Sequence, residues 1–119
     1  MPHTILQHLL TKYPTIESLV LIREVKLFLA VGQSTPPPEV KIRIWLGNIP
    51  EHLPYSFELS HYVKTPIQMA PYIAGGHFQS ELDAIDGALK ALTSFYVQAL
   101  NQGHAPTPSN NWMVPNSYF

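Results

Sequence analysis

Lys41, Arg43 and Trp45 alternate with Val40, Ile42, Ile44 and Leu46 in one uninterrupted stretch. That alternation marks a strand with one apolar and one polar face, and here the polar face carries two cations and an indole. Between Val25 and Val31, Lys26 and Phe28 alternate with Val25, Leu27, Leu29 and Val31; Tyr62 and Lys64 close a third such stretch. Placed side by side, these strands would show Lys26, Phe28, Lys41, Arg43, Trp45, Tyr62 and Lys64 on one surface. Rings for stacking and cations for a phosphate backbone are what single-stranded nucleic acid requires. The same rings can serve as anchors buried by a protein, by a second subunit or by the chain's own tail. Arg43 and Glu58 can also form a simple cross-strand pair.

Other chemistry-bearing residues are less organised. The six histidines, His3, His8, His52, His61, His77 and His104, include no pair at helical or hairpin ligand spacing. His61 and His77 flank an irregular stretch and could meet near Glu58 or Asp83, as a metal or general-base site would need. Asp83 and Asp86 lie three apart in a helical stretch, where such carboxylates complement the helix dipole. The chain contains no G-x-S-x-G, no P-loop and no G-x-G-x-x-G. No catalytic residue, metal ligand or cofactor is therefore expected.

Composition narrows the field further. The 119 residues suit one domain with its own core. Charged residues make up only 13% of them, about half the usual share. A surface so poor in charge favours association with a protein or with itself. The net charge of −1 gives no long-range pull on nucleic acid or an anionic membrane. With no cysteine, disulfides and thiolate metal sites are excluded, and a cytoplasmic setting is expected. Met1-Pro2-His3 is not the basic start of a secretory signal, and no apolar run is long enough to span a bilayer.

These side chains need elements to position them. His3 to Tyr13 carries Ile5, Leu6, Leu9 and Leu10 on one helical stripe, with Pro14 as its stop. Ile16 to Glu24 fits either period, with extended structure preferred. Strands are expected over Val25–Val31, Glu39–Leu46 and Tyr55–Val63, separated by a proline loop over Gln33–Pro38 and a second loop over Ile49–Pro54. Lys64 to Gly76 is irregular. Ser80 then caps a long helix that closes at Gly103. Its expected inward seam is Leu82, Ile85, Leu89, Leu92, Tyr96 and Ala99, beside a small-residue stripe of Ala84, Gly87, Ala88 and Ala91. The expected fold is α+β in α-β-β-β-α order: a three-stranded antiparallel sheet with both helices on one face. Residues 1–104 form the domain, and 105–119 a tail rich in proline and aromatic residues.

The element order from His3 to Gln102 resembles that of double-stranded-RNA-binding domains. The resemblance implies a glycine-containing loop followed by phosphate-binding lysines at the start of the last helix. The loop is matched by Gly75 and Gly76, but Gln79, Ser80, Glu81 and Asp83 stand where the lysines belong. Carboxylates there suit the helix and repel phosphate.

The expected function is that of a small non-enzymatic interaction or regulatory protein, dimeric and cytoplasmic. Its contact residues would be Phe28, Lys41, Arg43, Trp45 and Tyr62 on the sheet, with Trp112 and Phe119 in the tail. Two alternatives stand beside it: a nucleic-acid-binding domain using the same face, and a small enzyme or metal site around His61 and His77.

Overall fold

Val40, Ile42 and Ile44, the apolar half of the cleanest alternation in the chain, form the floor of the core and are almost wholly buried. A computed structural model describes residues 2–12, 16–29, 37–48 and 51–119. Pro14, most of the proline loop, the residues beyond Leu29 in the first expected strand, and Ile49–Pro50 lie outside the described residues. Within them the order is α1 (Pro2–Lys12), β1 (Leu19–Phe28), β2 (Glu39–Gly47), β3 (Tyr55–Leu59), β4 (His61–Val63), β5 (His77–Phe78), α2 (Glu81–Asn101) and β6 (Met113–Pro115). The fold is α+β, with an antiparallel sheet under a carboxyl-terminal helix. No helix of the described residues is long and apolar enough to cross a membrane.

The main sheet has four strands rather than three, ordered β1-β2-β3-β5. The extra strand is the pair His77–Phe78, set against Ser56 and Tyr55. Two residues are too few to show a period, so tertiary packing determines this strand. The Phe78 ring lies 5.8 Å from that of Phe57. It also fills the space over Gly87, where an added Cβ would sit 2.6 Å from the Phe78 ring. That close approach is why a glycine stands inside a helix.

The expected strand Tyr55–Val63 is two strands, broken at Ser60. The Ser60 amide donates to the Lys41 carbonyl at 2.9 Å, and the Lys41 amide donates to Ser60 Oγ at 2.8 Å. With its hydroxyl closing this exchange, Ser60 ends the pairing with β2. The chain beyond it turns away as β4, which pairs with β6 from the tail in a second, two-stranded sheet.

Ser80 caps α2, its hydroxyl accepting from the Asp83 amide at 3.1 Å, and Gly103 follows the helix with φ of 90°. The helix buries Ala84, Ala88, Ala91, Leu92, Tyr96 and Ala99. The expected seam is thus partly rotated away: Leu82 is 76% exposed and Leu89 stands at the surface. Alanines line the approach because the helix lies close over β2 and β3, where Phe57 and Phe78 supply the bulk. The amino-terminal helix is a short 11 residues and lies against β1.

The tail folds back onto the domain. Trp112 is buried beside Tyr96, with ring centroids 4.9 Å apart and planes tilted by 62°. The backbone at Trp112 has φ of 66°, in the left-handed region that a tryptophan seldom adopts. The Lys64 amide donates to the Trp112 carbonyl at 2.9 Å, which holds that turn in place.

Candidate interaction surface on the outer sheet face

Strand register decides what shares the face opposite α2. Cα partners pair Lys26 with Lys41, Glu24 with Arg43, Phe28 with Glu39 and Leu21 with Trp45. On the other side, Arg43 meets Glu58 and Trp45 meets Ser56. Directly paired residues in an antiparallel ladder point the same way. One face therefore carries Leu21, Glu24, Lys26 and Phe28 from β1, Glu39, Lys41, Arg43 and Trp45 from β2, and Ser56 and Glu58 from β3. Phe28 and Leu21 are exposed, and Trp45 is half-buried.

Three cations, Lys26, Lys41 and Arg43, share this face with three carboxylates, Glu24, Glu39 and Glu58, so its formal charge cancels. Arg43 Nε donates to Glu24 at 2.8 Å, and its Nη1 lies 3.8 Å from Glu58. The hydrogen bond from Arg43 holds the Glu24 carboxyl below its ordinary pKa, with Lys41 and Lys26 adding to the effect. Lys26 lies 3.5 Å from Glu39. Among the described residues Lys41 has no ion-pair partner. Sequence reasoning passed over Glu24 and Glu39 as face residues, although Glu24 sits two residues from Lys26 and Glu39 two from Lys41, so each shares that cation's face.

The tail reaches the same face through a turn built on Asn116. Its side-chain amide donates to the Leu59 carbonyl and its backbone amide to the Ser60 carbonyl, both at 2.8 Å. Its side-chain oxygen accepts from the Tyr118 amide at 3.0 Å, and its carbonyl accepts from the Phe119 amide at 3.2 Å. Asparagine suits such a turn because its side chain imitates a backbone turn. The turn lays the Phe119 ring 3.8 Å from the Arg43 guanidinium carbon.

The expected contact residues thus separate into groups. Phe28, Lys41, Arg43 and Trp45 share the outer face, and Phe119 joins them over Arg43. Tyr62 lies on β4, opposite Val114, in the second sheet. Trp112 is inside the core.

The two histidines of the enzyme alternative take different places. His61 accepts from or donates to Ser60 Oγ at 2.8 Å, and partial burial pushes its pKa down. His77 is exposed on β5 and borders a shallow hollow of about 480 Å³ with Leu53, Phe78, Gln79, Asp83, Asp86, Gly87 and Lys90. His61 does not line that hollow. Among the described residues no group of three or more histidines and carboxylates is placed to hold a metal ion.

Comparison with known proteins finds no family model, no curated protein and no solved structure that matches this chain.

Proposed function

We propose that the chain is a small non-enzymatic interaction protein whose contact surface is the outer face of the sheet. Trp45 and Phe28 are its aromatic anchors, Lys41 its cation without an ion-pair partner among the described residues, and Arg43 beneath Phe119 its rim. The observation that carries this reading is that Phe28 and Leu21 stand exposed on a sheet face that also bears the half-buried indole of Trp45. Apolar surface of that kind is normally buried against something. Aromatic anchors within a charge-balanced surround suit a protein partner, since burying them stabilises association without leaving a net charge unpaired. A cysteine-free chain needs no oxidising compartment, and the reading places it in the cytoplasm.

The nucleic-acid alternative has less support. Phosphate binding draws on cations free to replace counterions. Here two of the three face cations already have carboxylate partners, and the face carries no net charge.

A photo-cross-linking residue placed at position 45, with position 101 at the exposed end of α2 as control, tests the reading in cells that express the chain. Protein adducts formed at position 45 and absent at 101 are expected. Nucleic-acid adducts at position 45, or identical adducts at both positions, would overturn it.

A further inference from the structure

β1 is the terminal strand of the main sheet, and at ten residues it is the longest. Among the described residues no hydrogen bond reaches the backbone groups on its outward edge. Such a row of donors and acceptors is a template for another strand. The opposite edge, β5, is only two residues long. Half of β1 is already blunted. The pairing with β2 slips between Leu21 and Arg23, and Arg23 turns to pair with Glu81 on α2. Bulges and inward charges are the usual means of protecting an edge. The regular stretch that follows, Glu24 to Phe28, carries no bulge, and although α1 lies against β1, no backbone hydrogen bond from α1 reaches it among the described residues.

The flank of α2 above this edge is apolar as well. The Arg23–Glu81 pair shows which side of the helix faces β1. Ile85 and Leu89, one and two turns beyond Glu81, continue that side, and Leu89 is at the surface. Below them Ile22, Val25 and Leu27 are only half-buried. Apolar side chains of α2 and β1 therefore flank this strand edge.

We propose that a second copy of this chain pairs antiparallel with β1, about a two-fold axis at Val25. Two-fold pairing brings each residue opposite one on the same face, so the axis position fixes every partner. An axis at Glu24 or Lys26 would set identical charges directly opposite each other. An axis at Val25 sets Glu24 of each copy against Lys26 of the other, twice, and brings the two Val25 side chains together beneath the apolar flanks. Opposite charges across a ladder favour pairing and like charges oppose it. The arrangement closes on itself: it uses the long edge of each main sheet and leaves that sheet's short β5 edge outside. The pairing runs along the backbone edge of β1 and borrows only Glu24 and Lys26 from the outer face, so its test by chain mass and cross-linking is separate from that of the function proposed above.

The absence of cysteine gives a direct probe. Residues on the axis of an antiparallel pair have Cα atoms about 4.5–5.5 Å apart, within disulfide reach. Val25→Cys is expected to form a covalent dimer under mild oxidation, whereas Leu27→Cys, whose counterpart lies four positions away, is not. The unmodified chain should show twice its monomer mass by sedimentation. Lys26→Glu should raise the dimer dissociation constant about tenfold by opposing carboxylates at both pairs, and adding Glu24→Lys should restore it. A monomeric mass for the unmodified chain up to high micromolar concentration would overturn the proposal. So would a dimer in which Leu27→Cys cross-links as readily as Val25→Cys.

Discussion

The ring of Phe119 lies over the guanidinium of Arg43, 3.8 Å from its central carbon, and joins the tail to the outer face of the sheet. Arg43 is thereby held from three sides, by Glu24, Glu58 and the ring. The contact is partly solvated, so its contribution is modest. Phe119→Ala is expected to lower unfolding free energy by about 0.5–1 kcal/mol. Phe119→Leu, which keeps apolar bulk without the ring's negative face, should lose part of that. Urea denaturation of both variants measures the difference.

Tyr96 offers a change in the other direction. Its side chain is fully buried, and its hydroxyl has no hydrogen-bond partner among the described residues. A buried hydroxyl left unpaired costs about 1–3 kcal/mol. Tyr96→Phe keeps the ring against Trp112 and removes the orphan oxygen. The variant should unfold at equal or higher urea concentration than the parent, and a clear loss of stability would show that the hydroxyl has a partner.

Gly87 and Phe78 should behave as a coupled pair. In an open helix Gly→Ala gains about 1 kcal/mol. Here the new methyl would meet the Phe78 ring at 2.6 Å and the Phe57 ring at 3.3 Å. Overpacking of this kind costs about 1–3 kcal/mol, so Gly87→Ala should destabilise. In a Phe78→Leu background the nearest ring is gone, and the same substitution should become neutral or favourable. A double-mutant cycle by urea unfolding reads the coupling.

Stability should depend on pH through His61. Burial holds its folded-state pKa below the ordinary value of about 6.5. The unfolded chain therefore takes up a proton at a higher pH than the folded one. Stability is fully present above about pH 6.5 and falls as pH drops through the window between the two values. His61→Gln should flatten that slope. Midpoints of thermal unfolding from pH 5 to 8 measure it.

Much of the scaffold is legible in the sequence because its periods are strong. The alternation in Glu39–Leu46 locates β2 and its buried face, and Ser80 and Gly103 bracket α2 to within a residue. What escapes has a tertiary cause. β5 is a two-residue strand held by the packing of Phe78, with no periodic signature of its own. The break at Ser60 depends on a hydroxyl meeting the Lys41 amide, and a period of two runs through it unaltered. The rotation of α2 toward its alanines reflects how closely the helix lies on the sheet, which a hydrophobic seam alone does not encode. On the outer face, parity alone assembles Phe28, Lys41, Arg43 and Trp45. The placement of Phe119 over Arg43 needed the Asn116 turn, which joins residues 57 positions apart in the chain.

The outer face is the contact surface only if the tail belongs to the fold, because a detached tail would instead be a docking peptide with its own aromatic anchors. Denaturation of Trp112→Ala tests this most directly. With the indole packed on Tyr96 in the core, the substitution should cost about 3–5 kcal/mol of unfolding free energy. A loss below about 1 kcal/mol, the range of surface substitutions, would mean that Trp112 is not buried in solution and would contradict the assignment.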